Sequence, residues 1–317
     1  TYVLQHFKDH AGVDIDNPWI TLTNGGANTP DAAKIVWADE KGLVTNLSVK
    51  GSGRNAFVEF EVPASAIKNG NAVIAVTKGS TVVWSWHLWF APQDVLNTTP
   101  VTNFQNKVYH FTNETLGFKY TAWSGSSYSA PRSVKVKVEQ TVGQAVGKQV
   151  GYITITQNNG NVRQGYSTLY QFGRKDAFPG TDSTPDGSFN KDGGDNMSIP
   201  NGIQHPETFY TSGKSWTDNP PSGYSYYNLW SMDNTTTDYN DNVVIKTIYD
   251  PCPAGFKMPA NNAFTGFTTN GENGDKNNVS GAWENGWNFN NKISSPDATV
   301  YFPATGYRSR SNGNLSS

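Results

Sequence analysis

Two acidic, asparagine-rich stretches carry the residue types that a hard cation takes: Lys191-Asp192-Gly193-Gly194-Asp195-Asn196 and Asp238-Tyr239-Asn240-Asp241-Asn242. Side-chain and carbonyl oxygens of this kind coordinate calcium, which makes Asp192, Asp195, Asp238 and Asp241 the candidate metal ligands. Neither stretch has the full spacing of an EF-hand loop, and Asp and Asn in such places also bond their own backbone as hydrated turns. His6 and His10 are spaced for one face of a helix, yet no third ligand stands at zinc spacing. No other cofactor is indicated. The chain has no Gly-x-Ser-x-Gly elbow, phosphate loop, dinucleotide fingerprint or His-Glu-x-x-His. Cys252 lies between Pro251 and Pro253 with no basic neighbour in sequence to lower its pKa. No nucleophile, acid-base pair or metal triad emerges, so a non-catalytic protein is expected.

Aromatic residues offer a different chemistry, stacking against the apolar C–H faces of sugars. In Trp84-Ser85-Trp86-His87-Leu88-Trp89 a strand would put Trp84 and Trp86 on one face. Leu88 continues that face while Val83, His87 and Trp89 fill the other, so a buried core strand is the expectation here. Trp216, Tyr224, Tyr226, Tyr227 and Trp230 fall in long Gly-, Asn-, Asp- and Pro-rich loops and are the candidate ligand contacts, since binding residues concentrate on loops held by a rigid scaffold. Packing beneath those loops is the alternative. Trp283 and Trp287 have the same texture around them.

The elements that must hold these residues are strands. The 317 residues suffice for about two domains. Lys and Arg number 24 against 26 Asp and Glu, with the signs scattered, which argues against nucleic acid or anionic lipid as partners. Charged residues are 16% and aromatics 13%, a profile suited to an exported β-rich protein. No run approaches the length of a membrane-spanning helix. The lone Cys252 excludes an internal disulfide; a buried thiol and a bond to a partner outside the chain both remain open. Ala56–Val62, Asn71–Thr77 and Thr81–Phe90 read as strands, the last two as a hairpin around Lys78-Gly79-Ser80. Thr29 and Pro30 carry a helix-start signal, predicting one or two turns from Pro30 to Trp37. Residues 1–95 thus form an expected β-sandwich module, followed after a Pro-flanked connector by a second region, 96–317. There Lys107–Phe111, Phe118–Tyr120 and Ser133–Glu139 read as strands, with Gly151–Gln157 as the hairpin mate of the last. The strict Val/Lys alternation of Ser133–Glu139 marks an exposed or edge strand.

Several phrases carry a resemblance. His6–Gly12, Asn17–Ile20, Val36–Asp39, Gly70–Val76 and Trp84–Trp89 resemble, in that order, the first module of the fimbrillin-like surface proteins of Bacteroidales. Tyr170–Phe178, Lys246–Pro259 and Tyr301–Arg308 resemble the C-terminal FISUMP-type domain of the same proteins. The resemblance implies a mainly β protein, a β-sandwich followed by an irregular, loop-rich domain related to C-type-lectin-like folds. It implies export to the extracellular face of the outer membrane, with a tether upstream. The role it implies is a cell-surface adhesin or pilus-tip component that binds a glycan or a protein, and the alternative is a glycan-binding lipoprotein of a polysaccharide-uptake system. Other surface or pilus subunits are the implied partners, joined by β-strand addition. Catalytic relatives of the second domain use cysteines with no counterpart here. Family members begin upstream with an Ala-Asn-Cys-Tyr-type strand, whose Cys is the implied partner of Cys252, and continue past Gly306-Tyr307-Arg308 into a Trp-Ser-Ser-type segment; both ends are expected to be truncated. Asp182-Ser183-Thr184 matches the short pattern on which exported proteins of that phylum are O-glycosylated, at Ser183.

Overall fold

The computed structural model describes residues 29–52, 56–121, 132–140, 149–157, 165–195, 197, 199–211, 230–231, 239–274 and 276–316. The protein is mainly β. Its first part is built from β1 (Ala32–Ala38), β2 (Thr45–Lys50), β3 (Phe57–Glu61), β4 (Gly70–Lys78) and β5 (Thr81–Phe90). β4 and β5 pair antiparallel, Val73 opposite His87 and Ile74 opposite Trp86. The connection needs a left-handed residue, supplied by Gly79 at φ 56°, whose N–H donates to the Asp31 carboxylate at 3.1 Å. On its other side β4 pairs with β1, Ile35 opposite Ile74.

The helix expected over Pro30–Trp37 is therefore a strand. Ile35-Val36-Trp37 is a β-branched and aromatic run, and the open ladder of β4 outweighs the capping signal of Thr29 and Pro30. Beyond β1 the sheet takes a fourth, two-residue strand, Asp186–Gly187, with Trp37 opposite Gly187. Only glycine serves there: its φ is 67°, and a side chain would overlap the Val36 carbonyl.

This sheet is covered on both faces. On one, Ala72 and Ile74 meet Leu43 and Val44, with Trp86, Leu88, Val58 and Phe60 packed around them. The Trp84-to-Trp89 segment is core, as its pattern suggested: Trp84 is buried with Val76 and Val83 against Met197, Ile203, Tyr210 and Tyr249. On the other face Val36, Trp37, Val73, Ala75 and Val82 close over Ala177. One ladder and two core clusters thus join residues on either side of position 95. Trp37 is fully buried and its Nε1 donates to the Ala177 carbonyl at 2.9 Å. Trp37→Phe is expected to lower stability by about 1–3 kcal/mol, because that carbonyl is left unpaired; a urea unfolding curve matching wild type would count against the bond.

The second covered face also buries polar groups. Arg174, Lys175 and Asp176 lie beneath β5, where Ser85 Oγ donates to Asp176 Oδ1 at 2.5 Å and Lys175 Nζ sits 2.8 Å from the same oxygen. Arg174 donates to the carbonyls of Gly202 and His205, both at 3.0 Å, and to that of Thr208. Gly202 belongs to the short helix Ile199–Gln204, whose C-terminal carbonyls are free to accept from a cation. Nearby, His87 bonds Asn71 Oδ1 through Nε2 and the Tyr170 hydroxyl through Nδ1, both at 2.9 Å.

In the later part, β6 (Thr98–Thr102) and β7 (Val108–Thr112) form a hairpin, followed by β8 (Lys119–Tyr120). β9 (Arg132–Glu139) and β10 (Val150–Gln157) pair as expected, Val136 opposite Ile153. A three-stranded meander of Val279–Ser280, Gly286–Asn290 and Thr299–Pro303 completes the main ladders. Phe267 is the hub of its core, with the rings of Phe111, Phe302 and Phe289 at 4.9, 5.2 and 5.7 Å. Arg308, buried near the C-terminal end, donates to the carbonyls of Pro179, Thr181 and Gly313 at 2.7, 2.6 and 2.7 Å. Among the described residues no helix is long and apolar enough to cross a membrane.

Candidate binding site

A cleft of about 770 Å³ is bounded by β7, the stretch from Asp241 to Ala260, and Val300–Phe302. Its apolar walls follow from packing already described. Phe111, Phe264 and Phe302 border it as the outer rings of the Phe267 cluster, and Phe256, Met258 and Pro259 line it too.

The loop that carries Phe256, Met258 and Pro259 is held by a carboxylate. Asp250 Oδ1 accepts the Cys252 N–H at 2.8 Å and Oδ2 accepts the Met258 N–H at 3.0 Å, closing the loop between them. Lys246 Nζ lies 3.2 Å from Asp250 and donates to the Cys252 carbonyl at 2.6 Å. Prolines 251, 253 and 259 stiffen the same loop. Cys252 is a free thiol in this chain, half-buried, with Sγ 3.7 Å from Met258 Sδ. Burial, and then the Asp250 charge, push the thiol well above the ordinary cysteine range. It is a poor nucleophile, in line with the absence of a basic neighbour in sequence.

The polar end of the cleft is organised by Asp241. Its Oδ1 accepts from the Tyr109 hydroxyl at 2.5 Å and from Asn103 Nδ2 at 2.7 Å, while Oδ2 accepts from Asn262 Nδ2 at 3.1 Å. Partial burial, then the hydrogen bond to Asp241 and its charge, push the Tyr109 phenol far above its ordinary value. Tyr109 is thus a neutral hydroxyl with a fixed orientation, able to accept from a ligand hydroxyl and unable to act as a base. Lys257 is also on the rim, its Nζ bonded to the Val244 carbonyl at 2.7 Å.

The residues singled out from sequence distribute unevenly over this geometry. Trp216, Tyr224, Tyr226, Tyr227 and Asp238 lie outside the described residues. Trp230 is half-buried, donates from Nε1 to the Arg174 carbonyl at 3.2 Å and packs its ring 4.7 Å from Phe172. Asp192 accepts from Thr211 Oγ1 at 2.5 Å and donates its N–H to Asn190 Oδ1 at 3.0 Å, and the Asn242 N–H likewise donates to Asn240 Oδ1 at 2.9 Å. These are self-bonded turns of the kind the composition also allowed. Asp195 is exposed, and Asp241 belongs to the cleft; among the described residues no three His, Cys, Asp or Glu side chains gather as a metal site would need. Ser183 is exposed. Trp283 is 52% exposed and stacks edge-on with Trp287 at 5.3 Å.

Tyr109, Phe111 and Phe256 are among the cleft residues that the sequence reading did not single out. The period-two strand Lys107–Phe111 does place Tyr109 and Phe111 on one face, but nothing local shows that Asp241 lies opposite. No protein-family model, no curated protein and no solved structure matches the chain.

Proposed function

We propose that this chain is a non-catalytic, exported binding protein of the fimbrillin-like kind, a surface adhesin or pilus-associated subunit that holds a glycan in the cleft of its second region. The observation that carries the reading is the pairing of aromatic walls with one oriented, uncharged hydroxyl, Tyr109 on Asp241. Ring faces suit the apolar faces of pyranoses, and a small number of placed polar groups suits their hydroxyls. Supporting it, the phrases Lys246–Pro259 and Tyr301–Arg308, on which the resemblance rests, include the Asp250-tied wall and the strand end at the rim. In this reading the N-terminal sheets are a sandwich mount, the second region is lectin-like, and an upstream tether keeps the protein on the outer face of the outer membrane.

A glycan array with the full chain, run in calcium and again in EDTA, tests the reading. Saturable binding is expected, and it should be weakened about tenfold by Phe256→Ala and severalfold by Tyr109→Phe, the worth of a stacked ring and of one hydrogen bond. Loss in EDTA would bring calcium into the site. Binding indifferent to both substitutions would move the contact off this cleft.

A further inference from the structure

The free edge of β7 runs along the cleft. On β6, the Thr102 N–H donates to the Asn291 carbonyl at 2.8 Å and the Pro100 carbonyl accepts from Asn291 Nδ2 at 3.0 Å, so both residues turn their backbone groups away from β7. In an antiparallel ladder the residues opposite them turn away as well. Those are Val108 and His110, and by the same alternation Thr112, which faces Thr98. Among the described residues β6 and β7 make a two-stranded sheet, and no backbone group bonds the N–H or C=O of these three residues. All five residues of β7, from both of its faces, line the cleft, which places that edge within it.

We propose, resting on the glycan reading, that the cleft selects uncharged sugars with adjacent free hydroxyls and holds them through the backbone of β7, with His110 at the middle of the edge. Each edge residue presents a donor and an acceptor side by side, with no net charge. A carboxylate, sulfate or phosphate brings only acceptors and sets one of them against a carbonyl oxygen, while an ammonium brings only donors. Two neighbouring ring hydroxyls meet both groups: one accepts from the N–H and the other donates to the C=O. Fixed charge points the same way. Apart from His110, the charged residues of the lining are two carboxylates, Asp241 and Glu114, against one ammonium, Lys257, a balance that does not invite an anion. A free edge also accepts a strand of another protein. At about 770 Å³, however, the cleft has the size of a small-ligand site, which favours a short oligosaccharide.

Amide NMR of the full chain, titrated with cellotriose, maltotriose, mannotriose and trigalacturonic acid, tests this. At least one neutral trisaccharide is expected to shift the edge amides of Val108, His110 and Thr112 more than those of Tyr109 and Phe111, which face β6. Trigalacturonic acid, and the same neutral sugar with every hydroxyl methylated, are expected to bind about tenfold more weakly or not at all. His110→Pro removes one edge donor, and proline suits a position whose N–H leaves the ladder, as Pro100 opposite it shows. It is expected to weaken binding of the neutral trisaccharide about tenfold, and His110→Ala by less than about twofold. The wild-type amide shifts decide the matter should His110→Pro fail to fold. Neutral-sugar binding that leaves the edge amides unmoved, or trigalacturonic acid binding as tightly, overturns this inference and leaves the glycan reading standing. An alternating Thr/Val peptide that shifts the edge amides where no sugar does assigns the edge to strand addition and overturns it too. No shift with any of the four sugars also overturns it, and a silent glycan array then removes the glycan reading as well.

Discussion

Asp176→Ala is expected to lower the folding stability by about 3–5 kcal/mol, the cost of leaving buried cations without their counter-ion. Asp176 is 3% exposed, and it lies between two cations whose side chains are themselves buried, Arg174 at 3.5 Å and Lys175 at 2.8 Å. Burial disfavours its charged form, but the Lys175 and Arg174 charges outweigh that and hold the carboxyl below its ordinary range. Removing the carboxylate leaves the Ser85 hydroxyl without its acceptor as well. Asp176→Asn separates charge from shape: the amide fills the same space, so a loss nearly as large identifies charge as the cause. Urea denaturation of the three proteins at neutral pH makes the comparison, and an Asn variant as stable as wild type would refute the electrostatic account.

Stability is also expected to fall as the pH drops from about 6.5 to about 4, by about 3 kcal/mol in all, through His87. The Asn71 side chain has only one orientation open to it, because Nδ2 donates to Asp39 Oδ2 and to the Gly117 carbonyl, both at 2.9 Å. Its Oδ1 must therefore accept from His87 Nε2, which leaves Nδ1 to accept from the Tyr170 hydroxyl. Both ring nitrogens are satisfied in the neutral form, and a second proton would displace the tyrosine's. Burial pushes the His87 pKa down from 6.5 to about 4. The sign follows from where the proton binds. Below 6.5 the unfolded chain takes up a proton that the folded one refuses, so stability that is complete above 6.5 is lost steadily until about 4 and no further below it. His87→Gln, which can donate and accept without titrating, is expected to flatten the curve in that window. A wild-type curve that is already flat there would exclude His87 as its source.

The elements legible in the sequence are those whose signal is local. β4, β5, β9 and β10 alternate or run apolar over eight or more residues, and the turn at Gly79 is written in the residues beside it. β1 is misread because its capping signal is local while its ladder partner, β4, is distant. The Asp186–Gly187 strand has no local signal at all; Trp37 makes it a strand. The same division holds at the cleft. Asp241 stands out in sequence as an acidic loop residue, which suggests a cation, but its oxygens are taken by Tyr109, Asn103 and Asn262. Trp230 reads as a free loop aromatic and is tied down by a carbonyl that periodicity does not reveal.

The edge strand Asp186–Gly187 and the Trp37 hydrogen bond have a consequence for the order of events during synthesis. The carbonyl that Trp37 meets lies 140 residues further along the chain. At about 5–20 residues per second, β1 waits roughly 10–30 s before its far partners exist. Throughout that interval the sheet has an open edge and an uncovered apolar face, the combination that invites pairing with neighbouring chains. A nascent N-terminal part that stayed unfolded until the middle of the chain arrives would not present that edge.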